Sequence, residues 1–260
     1  STQSRSSAAS DVYKRQNVIR SIIGGRFQYP KSLYAVKDCL SLFLGQKDNA
    51  LIIDFFAGSG TTLHAVNLLN VEDGGHRRCI MVTNNEVSDS EEKSLKSQGY
   101  HPGDEEWEKL GIAHYVTWPR TVCSIEGHDV NGTPLKGKYI GSDIPMSDGF
   151  ASNCEYFKLG FLDKNEVALG TQFKEILPLL WLKAGAVGRR PEIADGETPS
   201  MLVLPQNKMA VLNDECVFMK FEEKLEACPE IDTVFIITDS ERAYREMISG
   251  LKVRNTYQLY

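Results

Sequence analysis

The chain has 260 residues, 42% of them hydrophobic and 25% charged, the size and balance of one large globular domain or of a domain with a smaller companion. No apolar run approaches the ~18 residues of a membrane span and no apolar signal core opens the sequence, so no membrane partner is expected. The net charge of −6 argues against a chain that grips DNA by itself, because phosphate binding needs clustered Lys and Arg. The six cysteines and five histidines are scattered, without a C-x-x-C pair. The expectation is reduced core cysteines, no metal site and a cytoplasmic protein.

In chain order, residues 1–16 are Ser/Ala-rich with little to bury and read as a non-native or disordered tail. The string Ser10-Asp11-Val12-Tyr13-Lys14-Arg15-Gln16 looks like a translated sequencing adaptor. Gly24 to Ser32 reads as a loop. Ser32 then caps a helix whose face is Leu33, Val36, Leu40, Phe43 and Leu44. Gly45 to Asn49 turns the chain into Ala50-Leu51-Ile52-Ile53, an apolar run of the kind found in buried parallel strands.

The stretch Asp54-Phe55-Phe56-Ala57-Gly58-Ser59-Gly60-Thr61-Thr62 follows, and after it Leu63 to Leu69 shows helical spacing. This is a strand–turn–helix corner. Glycines without a Cβ let the backbone turn tightly and approach a ligand. A helix starting at Thr61 and Thr62 turns free N–H groups and its positive dipole end toward the turn. Asp54 ends the strand as an acceptor, in the crevice where open α/β sheets bind ligands. A P-loop is disfavoured because no Lys follows Gly60, and a dinucleotide site because Leu63 stands where its third glycine belongs.

The third option is S-adenosylmethionine (SAM). D-F-F-A-G-S-G-T-T resembles the SAM-binding motif D-P-F-x-G-S-G-T-T of DNA amino-methyltransferases, with Phe55 in place of the usual Pro. Phe27-Gln28-Tyr29-Pro30-Lys31, before the preceding helix, resembles the F-x-x-P-K of the methyltransferase group that carries its cofactor half last. That resemblance implies Phe27, Pro30 and Lys31 near the cofactor, with Lys31 facing its carboxylate. It also implies Asp54 at the amino-acid end of SAM and the Gly58–Gly60 backbone against the cofactor.

A second strand is expected at Cys79 to Thr83. In the family the end of this strand offers an acid to the ribose; here Thr83 stands nearest that place, followed by Asn84, Asn85 and Glu86, with Asn84 or Glu86 as the substitute. Ser88-Asp89-Ser90-Glu91 has the form of a capping box for a helix to about Ser97. Trp107 to Leu110 reads as a helical turn, and Thr117-Trp118-Pro119-Arg120 as a helix start. Arg120 reads as a solvated side chain, with DNA backbone as its alternative partner. Asn131-Gly132 signals a hairpin, and Glu155 to Leu159 a strand. Thr171 to Ala186 is a helical stripe that Pro178 should kink or split. Beyond the linker-like Asp195 to Pro199 come strands at Met209–Leu212, Thr233–Thr238 and Tyr257–Tyr260. Helices at about Val217–Ala227 and Ser240–Gly250 separate them.

The expected fold is α/β: part of a Rossmann-like SAM-dependent methyltransferase sheet over residues 17–195, with a small α/β subdomain over 196–260. From about Asn17 onward the chain resembles site-specific DNA methyltransferases of the adenine type, including modification subunits of restriction systems. Their catalytic motif, [DNS]-P-P-[YFW], holds the exocyclic amine of a flipped base and stacks on its ring. No Pro-Pro dipeptide occurs here. The expectation is therefore a C-terminal, cofactor-holding fragment without catalytic residues, inactive alone. DNA would be reached through the missing N-terminal part, and a restriction subunit is the further partner implied. Two alternatives stay open: a non-catalytic SAM- or partner-binding module, and a small-molecule Rossmann enzyme.

Overall fold

The computed structural model describes residues 18–161 and 172–259. The tail reading at 1–16, and Thr171 and Tyr260 of the expected elements, lie outside them. The chain divides at Phe157 and Lys158 into two compact units, each mixed α/β. The composition break at Asp195 to Pro199 falls inside the second unit, in a segment without regular structure.

In the first unit, residues 18–23 are helical and their apolar side chains enter the core. Helix α1 (Leu33–Leu44) follows, and the Ser32 hydroxyl accepts from the Ala35 N–H as its cap. Strand β1 (Leu51–Asp54) leads through the glycine loop into α2 (Thr61–Asp73) and then β2 (Arg78–Met81). β1 and β2 are parallel, with Ile53 opposite Ile80, so β1–α2–β2 is a parallel crossover unit. Residues Leu63 to Leu69 of α2 are all buried, as expected for a helix with neighbours on several sides. It packs on α1, on β2 and on α5 (Trp118–Glu126). Lys37 and Glu72 tie α1 to α2 with a 2.7 Å ion pair. The far end of α2 is stapled by buried Arg77, which holds both Asp73 carboxylate oxygens and the Leu44 carbonyl.

Between β2 and α5 come α3 (Asp89–Ser97), with a complete capping box at Ser88 and Glu91, and α4 (Glu105–Leu110). A π-helical turn, Ala113–Thr117, runs directly into α5, where Pro119 occupies the first turn. In the second unit, α6 (Phe173–Lys183) precedes a four-stranded sheet ordered β3–β4–β5–β6. Its strands are Met201–Leu204, Met209–Leu212, Thr233–Ile237 and Asn255–Leu259. β3 is antiparallel to β4, and β4, β5 and β6 are parallel. The connecting helices are α7 (Phe218–Glu226) and α8 (Glu241–Ile248), the latter capped by Ser240.

Several expectations are corrected. β1 is parallel but not buried: Leu51, Ile53 and Ile80 share a half-exposed face, because α2 covers only the other side of a two-stranded sheet. Phe43 is exposed, since α1 turns mainly Leu33 and Tyr34 inward. Glu155 to Leu159 forms no strand: it pairs with none of the strands among the described residues. Asn131-Gly132 turns the chain, but the pairing is one isolated bridge between His128 and Pro134. α6 runs through Pro178 as one helix, because a proline removes a single ladder bond while Phe173, Leu177, Leu180 and Trp181 stay buried around it. Of the cysteines, all free, only Cys123 is buried. Strand β3, a four-residue run before a Pro-Gln-Asn turn, has no counterpart in the expectations.

Candidate functional site

The glycine loop is braced by side-chain hydrogen bonds. Asp54 accepts from the Phe56 N–H at 3.1 Å with one carboxylate oxygen and from the Thr62 hydroxyl at 2.6 Å with the other. The loop is thereby closed onto the strand from which it springs. Val82 donates to the Asp54 carbonyl and accepts from Ala57, so the end of β2 sets the loop's outer edge.

The two glycines do different work. Both have positive φ, 52° at Gly58 and 75° at Gly60, which disfavours any L side chain. A Cβ on Gly58 would meet nothing closer than the Phe56 carbonyl at 3.9 Å, so its face is open to a ligand. A Cβ on Gly60 would stand 3.4 Å from Thr117 Cγ2 and 3.6 Å from Thr121 Oγ1. The close approach on the Cβ side of Gly60 is therefore to the π turn and α5. Gly60 also caps α2 without a side-chain bond. The first N–H groups of a helix have no intrahelical acceptor, and here they begin at the loop.

Beneath the loop lies a layer of buried polar groups. Thr117 donates its hydroxyl to the Gly58 carbonyl at 2.5 Å. Arg120, 1% exposed, sends Nη1 to the Ser59 carbonyl, the Ser59 hydroxyl and the Thr61 hydroxyl at 3.0, 2.9 and 2.7 Å. Burial lowers its pKa to about 9. His64, fully buried, bonds Tyr139 through Nε2 at 2.9 Å. Burial, and then the Arg120 charge, hold its pKa well below the ordinary value, so it is neutral at physiological pH. Arg120 is thus neither solvated nor positioned to meet DNA, as the sequence reading had it. Val116, Arg120 and Cys123 stand at i, i+4 and i+7, and that period was the available signal that Arg120 faces inward.

The outer side of the loop is aromatic. Phe56 is 87% exposed, and Phe55 and Tyr29 are also exposed. Of the residues expected before the loop, Phe27 packs against the core cluster that includes Ala65 and Leu68 of α2. Pro30 is half-buried and Lys31 exposed.

At the end of β2, Asn84 and Glu86 come together in a cavity of about 340 Å³, with Asn85, Val87, Glu92, Pro102, Trp107 and Glu108. Asn85 spends its side chain on structure. Its amide donates to the Glu108 carbonyl and carboxylate, and its oxygen accepts from the Ala113 and His114 N–H groups. The cavity wall is acidic and rests on buried Trp107, suited to a ligand that carries hydroxyl or amino donors beside an apolar ring. Trp107 and Glu108 were read from sequence only as parts of a helical turn. No group of three or more His, Cys, Asp or Glu side chains among the described residues has the arrangement of a metal site. None of the described helices is long and apolar enough to cross a membrane.

No protein-family model matches the chain. It is 44% identical over 70 residues to a type II methyltransferase, M.KpnI, of Klebsiella pneumoniae, covering 26% of this chain and 16% of the relative. It is 37% identical over 83 residues to the Mod subunit of the type III restriction-modification enzyme EcoPI of Escherichia phage P1, covering 32% and 12%. The StyLTI Mod subunit of Salmonella typhimurium is 40% identical over 79 residues, covering 30% and 12%. The matched stretches therefore span well under a fifth of these relatives' length.

Proposed function

We infer that this relative of restriction-modification methyltransferases is the cofactor-holding part of a DNA methyltransferase, transferring a methyl group from SAM to the exocyclic amine of a base, adenine N6 in the first instance. The observation that carries the reading is the Asp54–Thr62 loop. It is a braced turn at the carboxyl end of a parallel strand, open above Gly58, with a helix starting at its far side. This is the ligand corner of a Rossmann-like sheet.

SAM supplies the methyl group when bound, and this chain's residues hold and orient it. Each Asp54 oxygen already accepts one bond and retains a lone pair for the ammonium of the methionine end. The exposed rings of Phe55 and Phe56 offer apolar surface beside the loop. Asn84 and Glu86, in the acidic cavity, are the acceptors proposed for the ribose hydroxyls. Phe27, packed on the core cluster that includes Ala65 and Leu68 of α2, is proposed to lie near the cofactor, and Pro30 and Lys31 to approach the carboxylate from the α1 side.

The base pocket belongs elsewhere. No Pro-Pro-aromatic motif is present, and the apolar residues Leu51, Ile53 and Ile80 of β1 and β2 are half-exposed. Parallel sheets normally bury both faces, so we propose that further methyltransferase polypeptide covers this face and brings the base pocket and the DNA-reading surface with it. A restriction subunit is a proposed partner of that assembled enzyme. The missing motif also favours a second reading, a non-catalytic SAM-binding module that works beside another chain.

The test is a chimera. The stretch of the phage P1 Mod subunit that matches this chain is replaced by the corresponding stretch of this chain. Methyl transfer from labelled SAM to DNA is then measured for the chimera and for the chain alone. The expected result is transfer by the chimera, none by the chain alone, and loss in the chimera on Asp54→Ala. A folded chimera that binds DNA and transfers no methyl group would overturn the reading.

A further inference from the structure

Arg120 poses a question that cofactor binding does not answer. It is almost wholly buried, its Nε atom has no hydrogen-bond partner, and no carboxylate pairs with it among the described residues. A buried charge without a counter-ion is costly, so a leucine or methionine in its place would pack at less expense. Every bond its Nη1 makes goes to the glycine loop: two to Ser59 and one to Thr61. Its other close neighbours are groups that do not neutralise it, namely the phenol of Tyr139 and the neutral imidazole of His64.

We propose that Arg120 is a positioning residue: as a cation it locks residues 58–61 in the ligand-ready shape, together with the Thr117 hydroxyl on the Gly58 carbonyl. This proposal rests on the reading of the loop as the SAM site, but it concerns the loop's shape and can be tested apart from the ligand. The physical reason is geometric. Gly58 and Gly60 both hold positive φ, which gives the loop its conformation but also its freedom, since glycine has the most accessible alternatives. Something outside the loop must select one of them. In the observed conformation the Ser59 carbonyl, Ser59 hydroxyl and Thr61 hydroxyl converge on one guanidinium nitrogen. The hydroxyls of Ser59 and Thr61 also lie 3.2 Å apart, within reach of each other. The charge strengthens the three contacts to Nη1, because hydrogen bonds to ionised groups are roughly twice as strong as neutral ones. The π turn has a part in this. It delivers Thr117 and Arg120 to the same underside of the loop, in the kind of local helix irregularity that recurs at functional sites.

The experiment compares the full chain with Arg120→Met and Arg120→Lys by amide hydrogen exchange across residues 57–62, melting temperature and calorimetric titration with SAM. Arg120→Met is expected to speed exchange in the loop by roughly 10-fold or more and to weaken SAM by a similar factor. Arg120→Lys, which keeps the charge, should recover part of both. Should Arg120→Met fail to fold, Thr61→Val removes one acceptor of the guanidinium without leaving a cavity, and it should speed exchange at Ser59 and Gly60. Unchanged loop exchange in folded Arg120→Met, even with a lower melting temperature, would overturn the proposal. So would Lys performing no better than Met. If wild type binds no SAM but the loop loosens in Arg120→Met, the lock stands and the ligand assignment fails.

Discussion

The two sheets of this molecule are made from the same kind of sequence and meet different fates. Leu51-Ile52-Ile53 in β1 and Met209-Ala210-Val211-Leu212 in β4 are both short, unbroken apolar runs. All four β4 residues are 0% exposed, while Leu51 and Ile53 are each 50% exposed. β4 lies between two strands, and its sheet packs on α7 and α8 through Phe221, Leu225 and Met247. β1 has one neighbour, β2, and it is on β2 that α2 packs. An apolar run specifies a strand that needs two covered faces; whether it gets them depends on the rest of the assembly. The second unit is complete in this sense. The first half-exposes an apolar sheet face and carries the braced glycine corner at the same sheet's end.

The largest effect should come from the complete sheet. Phe221→Ala removes a ring with no exposure and should cost about 3–5 kcal/mol, read by denaturant unfolding of the second unit. Asp54→Ala comes next. Losing charge-assisted hydrogen bonds costs ~1.5–3 kcal/mol, so SAM should bind roughly 10- to 150-fold more weakly in a variant whose circular dichroism is unchanged. An unaltered affinity would remove that carboxylate from the site.

His64 gives a pH dependence with a fixed sign. Its folded pKa lies well below the ordinary 6.5, so on acidification the unfolded chain takes up the proton first. Stability is full above about pH 6.5 and falls as pH drops below it, by at most about 1.4 kcal/mol per pH unit for this one group. His64→Gln should flatten that slope in unfolding titrations of the first unit. The smallest effect belongs to the bare face. Ile53→Thr should change stability by under about 1 kcal/mol. If it costs as much as Phe221→Ala, the face is covered and the contrast between the two sheets collapses.

Much of the local structure was legible. Ser32 and Ser88 cap the helices they were expected to cap, because caps are read from one or two side chains and the nearest backbone. Asp54 to Thr62 is the expected strand–turn–helix corner for the same reason. What was not legible depends on distant partners. Arg120 lies 61 residues from Ser59 in sequence, and only the packing of the π turn brings them together. The division of labour between Gly58 and Gly60 also escaped the sequence, since it is set by where Thr117 lands. The exposure of β1 was missed because the apolar pattern records the layers a strand requires, not those it finds. β3 was missed because four residues before a turn carry too little pattern to separate from a linker.

The central claim is that the Asp54–Thr62 loop is a SAM site. Its most direct test is calorimetric titration of the full chain with SAM, repeated in the presence of ATP and of NAD. The expected result is a saturable heat from one site per chain that neither nucleotide diminishes. No heat with SAM, together with saturable binding of NAD, would contradict it.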